Sequence, residues 1–190
     1  MGNEQSEILK LLIENQEEPF SIRKISQLRK INYKSAYNAV GSLRKQGIID
    51  LEELGNVSIC RFKRDFNAKV FEVESSRRDD LLRKNKDLKV IFDELSRINK
   101  PFIAVLFGSH AKGTAKKNSD IDLLLIGEDA EKIKDKLSWI PLKIHFTLLG
   151  YDDFIRMLKS KEQTVVSEIV KKNIILIGIE EYYRVLNNAG

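Results

Sequence analysis

Apolar positions along the first sixty residues recur with two different periods. Ile8, Leu9, Leu12 and Ile13 stand at i, i+1, i+4 and i+5, the spacing of one helix face. Residues 6–15 are therefore expected to form a helix capped by Ser6, and Glu17-Glu18-Pro19 ends it. Ile22, Ile25 and Leu28 predict a short helix over 21–30 with Ser21 as its cap. Ala36, Val40 and Leu43 predict a third over 33–46, capped by Asn32 and stopped at Gly47. The period then falls to two. Residues 48–54 and 57–62 alternate about the pair Gly55-Asn56, which reads as a β-hairpin.

Three helices followed by a hairpin make a winged helix-turn-helix, expected over residues 1–66. Residues 66–76 read as a connecting segment. Residues 79–99 read as a helix, with Leu82, Leu88, Ile91, Phe92 and Leu95 inward and Asp79-Asp80 at its start. Together 67–100 would join the two domains. From Pro101 the pattern changes again. Residues 102–107 are wholly apolar and predict a buried strand, and 108–113 a turn entering a short helix. Strands are expected over 121–126 and 142–149, and helices over 128–137, 151–160, 164–172 and 179–186, with a short apolar piece at 174–177. The fold class expected is α+β: the winged helix, then a small α/β domain with a mixed sheet over 101–190.

Charge adds a partner to this picture. The chain has 190 residues, a formal net charge of +5 and a pI near 9.2. Between Pro19 and Ile49 there are seven basic residues and no Asp or Glu. In a helix-turn-helix the second helix of the pair enters the major groove. Its outward residues Lys34, Ser35, Tyr37, Asn38, Arg44 and Lys45 would read base edges or neutralise phosphates. The turn Gly55-Asn56 carries no basic residue and is preceded by Asp50, Glu52 and Glu53, so the helix would supply most of the affinity. The competing reading is a basic face used for dimerisation or protein contact. Because such domains often read two half-sites, a homodimer is the default expectation. The single cysteine, Cys60, excludes an internal disulfide and a cysteine-based zinc site, and is expected to be buried and inert. No apolar run approaches the roughly 18 residues of a membrane span, and the first residues are polar and acidic, so a soluble cytoplasmic protein is expected, with no membrane partner.

The densest chemistry lies in Leu106-Phe107-Gly108-Ser109-His110-Ala111-Lys112-Gly113, followed by Asn118-Ser119-Asp120-Ile121-Asp122-Leu123. Gly108 after a buried strand lets a backbone approach a phosphate closely. Ser109 at the start of a helix offers a hydroxyl and an amide to the same group. Asp120 and Asp122 stand two apart at a strand start, so the pleat turns both carboxylates to one face. Two such carboxylates can hold Mg²⁺ ions that bridge a triphosphate.

This pattern resembles the polymerase-β-like nucleotidyltransferase superfamily, and most closely its minimal members fused to a winged helix; the likeness covers residues 102–186. The resemblance implies that Gly108, Ser109 and Lys112 bind nucleotide phosphates and that Asp120 and Asp122 bind Mg²⁺ or Mn²⁺ and serve catalysis. It implies ATP or another NTP as substrate, with transfer of AMP to a hydroxyl. It also implies a small all-helical protein partner of the toxin–antitoxin kind, which some relatives modify on tyrosine. Active members carry a third carboxylate on the next strand. Here no Asp or Glu lies between residues 138 and 151, and His145 stands in by position, as a base near neutral pH or a weaker metal ligand. That departure keeps a second function open: a DNA-binding transcription regulator whose degenerate transferase domain senses nucleotide or mediates dimerisation. His110 is either a ligand contact or a plain exposed residue. Trp139, just before Pro141, is expected to be a packing anchor, and Asp152 and Asp153 to cap the following helix.

Overall fold

The computed structural model describes residues 2–55, 57–160, 162 and 164–189. The chain divides into two units, Met1–Val73 and Glu74–Gly190. Both combine helices with a sheet, and the larger sheet is mixed.

In the first unit the helices are α1 (Gly2–Glu14), α2 (Ile22–Arg29) and α3 (Tyr33–Lys45). Ser21 caps α2, its Oγ accepting from the Lys24 amide at 3.2 Å. Asn32 caps α3, its Oδ1 accepting from the Lys34 amide at 2.9 Å. Both caps match the sequence expectation. Ser6 does not cap α1, which begins a turn earlier. Gln5 on that extra turn donates from Nε2 to Ser42 Oγ at 3.1 Å, so a tertiary contact extends the helix past the residue that propensity favours. Leu28 is 53% exposed rather than inward, because the eight-residue α2 buries only Ile22 and Ile25. Strands β2 (Ile49–Leu54) and β3 (Val57–Phe62) pair antiparallel with Leu54 opposite Val57; Asn56, half of the expected turn, lies outside the described residues. A two-residue strand, β1 (Phe20–Ser21), adds to the other edge of β3. Cys60 is buried on β3, and burial pushes its thiol up to about 11.

The expected connecting segment is helical. Helix α4 (Ala68–Lys84) runs through it, so Asp79 and Asp80 lie inside a helix instead of capping one. The break falls at Asn85, whose Oδ1 accepts from the Leu88 amide at 3.1 Å and starts α5 (Lys86–Ser96).

The second unit is built on a four-stranded sheet in the order β6-β5-β4-β7, where β4 is Ile103–Phe107, β5 Ile121–Ile126, β6 Ile144–Leu149 and β7 Ile174–Ile177. Strand β4 is antiparallel to β5 and β7, and β5 is parallel to β6. The two central strands are apolar on both faces because both faces are covered. Ala104, Leu106, Leu123 and Leu125 pack with Leu88, Ile91 and Leu95 of α5 and with Ala130, Ile133 and Leu137 of α7 (Ala130–Leu137). Val105 and Leu124, alternating to the other face, are fully buried. Helices α8 (Tyr151–Lys159), α9 (Val165–Lys171) and α10 (Ile179–Ala189) complete the unit, burying Phe154, Val166, Ile169, Tyr182 and Tyr183. Between β4 and β5 lies α6 (Gly108–Lys112). Among the described residues no helix is long and apolar enough to cross a membrane.

One polar network is sealed into this second unit. Glu74 and Arg77, one turn apart, form a buried ion pair. The Tyr183 hydroxyl donates to Glu74 Oε1 at 2.6 Å, and Arg77 Nη2 donates to the Asn173 carbonyl at 3.0 Å. Burial, reinforced by the Glu74 carboxylate, holds the Tyr183 phenol well above its ordinary range, so it remains a donor. Removing one partner of a buried pair strands the other charge. We expect Arg77→Met to cost about 3–5 kcal/mol in urea denaturation and Tyr183→Phe about 1–3 kcal/mol. A loss below about 1 kcal/mol for Arg77→Met would contradict the sealed network.

Candidate functional site

The register of β4 against β5 decides what lies at the end of the sheet. Phe107, the last residue of β4, pairs with Asp122. The chain then turns at Gly108, with φ +67°. A Cβ at Gly108 would fall 2.0 Å from Asp122 Oδ2 and 2.9 Å from its Cγ. The carboxylate therefore rests directly on the bare Cα, and the left-handed φ is itself one that favours glycine. On the other side, β6 pairs His145 with Asp122, and His145 Nδ1 lies 3.3 Å from Asp122 Oδ1. The imidazole side chain is 71% exposed and the Asp122 side chain 26%. Asp122 is thus held between the glycine turn and the histidine, while the histidine keeps its face to solvent.

Helix α6 begins at this glycine. Its N-cap position is Phe107, which offers no side-chain hydrogen bond. The first amides of a helix have no partner within it and carry its partial positive charge. At α6 those amides belong to Gly108, Ser109 and His110, beside the Asp122 carboxylate. Gly113 ends α6 with φ +71°, and the Thr114 amide donates to the Ser109 carbonyl at 3.0 Å. Two further bonds order the return to β5. The Lys116 amide donates to Ser119 Oγ at 2.8 Å, and the Ser119 amide to the Lys116 carbonyl at 3.0 Å. His110 Nε2 lies 3.3 Å from the Ser119 carbonyl, tying α6 to the residue before Asp120. His110 is therefore half-buried and structurally engaged, not a plain surface residue. Asp120 is exposed, immediately before β5.

The surroundings are cationic. Lys112 is exposed at the end of α6, as are Lys116 and Lys117 in the following loop and Lys143 before β6. The last three are not marked by any sequence motif; their only signal is position, on loops flanking the two motifs. Among the described residues no group of three or more His, Cys, Asp or Glu forms a metal-binding cluster. Two carboxylates without a third ligand make a poor closed site. An open pair of carboxylates would fit Mg²⁺, which keeps several waters and takes its other oxygens from substrate phosphates; here Asp122 is seated at the glycine turn and Asp120 is exposed just before β5.

Two expectations fail here. Trp139 is 89% exposed, because its neighbours Ile140 and Leu142 take the places against the core. Asp152 and Asp153 lie in the first turn of α8, and Gly150 is the N-cap, so neither caps that helix. In the first unit Lys34, Tyr37, Asn38, Arg44 and Lys45 of α3 are exposed and Ser35 is half-buried.

If the carboxylate rests on Gly108, the two residues are energetically coupled. Gly108→Ala should destabilise the fold by about 1–2 kcal/mol from the left-handed φ, with a further clash against Asp122. In an Asp122→Ala background that clash is mostly gone. A double-mutant cycle by denaturation should give a coupling of at least about 0.5 kcal/mol; additive losses would contradict the contact.

The profile of the nucleotidyltransferase domain family matches residues 88–184. The match starts within α5, upstream of the stretch that the motifs mark, and α5 is the helix whose Leu88, Ile91 and Leu95 back the sheet. No curated protein and no solved structure matches the chain. The glycine turn, the carboxylate on the paired strand and the family match lie in one unit, and the chain belongs to the nucleotidyltransferase domain family.

Proposed function

We propose that this chain transfers a nucleoside monophosphate, AMP from ATP, to a hydroxyl of an acceptor, with DNA binding by the N-terminal unit read as a winged helix. The single observation that carries the transferase reading is the seating of Asp122 on Gly108: it sets a carboxylate beside the uncapped amides of α6. Those amides, the Ser109 hydroxyl and Lys112 would bind the triphosphate. Asp120 and Asp122 would hold the Mg²⁺ that a nucleotide brings with it. When bound, that ion neutralises charge on the phosphates.

His145 would orient or deprotonate the acceptor hydroxyl. With Nδ1 protonated it donates to Asp122 Oδ1, which leaves Nε2 as the acceptor on a solvent-facing ring. Lys116, Lys117 and Lys143 would draw a polyanionic substrate to the site. The acceptor we favour is a hydroxyl on a protein partner, of the small all-helical kind that the resemblance implies.

A second reading has its own observation. On the strand next to β5, where the resemblance leads one to expect a carboxylate, Asp122 pairs with His145, and no three-ligand cluster exists among the described residues. On this reading the domain binds nucleotide without turnover and regulates a DNA-binding protein. The two readings part on one assay. With α-labelled ATP, Mg²⁺ and candidate acceptors, the transferase reading expects label in the acceptor. Asp122→Ala should reduce that transfer by about 10²–10³-fold, as loss of an electrostatic group at the reacting centre does, and His145→Ala by about 10²–10⁴-fold, the range of general-base catalysis. ATP binding without label transfer or pyrophosphate release would favour the regulator.

A further inference from the structure

Strand β6 is one edge of the four-stranded sheet, and among the described residues it pairs only with β5. The Ile121 amide donates to the Lys143 carbonyl at 2.9 Å, and the Gly127 amide to the Leu149 carbonyl at 3.0 Å. Lys143 and Leu149 therefore turn their backbone groups toward β5. Successive residues alternate, so Ile144, Phe146 and Leu148 turn theirs outward. Such a row of N–H and C=O groups is a template for another strand, and proteins blunt it with charge, proline or bulges. Here β6 has no Asp, Glu, Lys, Arg or Pro, and its register with β5 runs without a bulge. It is also poorly covered. None of its six residues is buried, although Ile144, Phe146, Leu148 and Leu149 are apolar. On the other edge, β7, three of the four residues are buried.

Charge selects the occupant. Lys143 is exposed just before β6, and Asp152 and Asp153 are exposed just after it in the first turn of α8. A copy laid antiparallel brings the lysine of each chain toward the carboxylates of the other, whereas a parallel copy sets like charge against like. We propose that β6 pairs antiparallel with β6 of a second copy, about a two-fold axis at Phe146, and joins the two sheets into one. This register satisfies the outward groups of all three residues, because Phe146 faces its own counterpart and Ile144 faces Leu148 of the second copy. It covers the two Phe146 rings as a cross-strand aromatic pair. It also sets Thr147 of the second copy opposite His145, on the face that carries Asp122, so each copy adds a hydroxyl to the rim of the other's candidate site. The pairing requires neither nucleotide nor DNA.

The test is sedimentation equilibrium of the full chain across micromolar concentrations. The wild type is expected to be a dimer. Phe146→Lys, which places two like charges on the axis, is expected to be a monomer with unchanged circular dichroism. Charge reversal gives a second measurement that leaves the strand untouched. Lys143→Glu and Asp152→Lys should each weaken the dimer about tenfold or more, since by symmetry each sets like charges together twice. Combined in one chain they should restore it, because each copy again meets opposite charge. A wild-type monomer would overturn the proposal and leave the edge to a different partner. A folded Phe146→Lys that remains a dimer would overturn it too, and would place the interface elsewhere. If Phe146→Lys does not fold, the charge pair decides. Rescue in the double variant supports the edge pairing; single reversals without effect, or a double variant no better than the singles, overturn it.

Discussion

Asp122 and Gly108 approach so closely that no side chain fits between them, and the candidate site is arranged around that contact. It depends on the pairing of β4 with β5, which sets Phe107 opposite Asp122. A one-residue slip would turn Asp122 toward the other face, among Leu123 and Leu125, and move an apolar side chain onto the glycine turn. Both strands are apolar and buried on their two faces, so alternation does not set this register; the close packing of the buried side chains does. The core and the site are thus one specification. The residues that bury the sheet also fix the carboxylate to within hydrogen-bond reach of His145.

Much of the second unit is legible in sequence because its signals are local. Strand β5 lies where the apolar run bounded by Asp120 and Gly127 places it, and the glycines of the motif mark the turns on either side of α6. The contact between Gly108 and Asp122 is not legible. Sequence identifies both residues, but only antiparallel pairing brings together positions fourteen apart. Likewise the pattern of β6 correctly separates Ile144, Phe146 and Leu148 from His145, yet does not say that His145 meets Asp122.

The misses share a cause, which is that tertiary contacts override weak local preferences. Helix α4 crosses a polar stretch whose apolar spacing is thin, and part of its length is secured by the Glu74, Arg77 and Tyr183 network, whose partners lie about a hundred residues apart. Strand β1 has two residues and exists only through its pairing with β3. Trp139 reads as core by residue type, but Ile140 and Leu142 fill those places.

The central claim is that the Gly108 turn and the Asp122 carboxylate together make a nucleotide site. Calorimetric titration of ATP with Mg²⁺ into the wild type and into Gly108→Ala tests it most directly, since that substitution leaves every charged group in the chain unchanged. The wild type is expected to bind in a manner that depends on Mg²⁺, and Gly108→Ala to lose that binding while remaining folded. Equal binding by both proteins would contradict the claim, because the nucleotide would then be held by the charges alone and not by the geometry that the glycine permits.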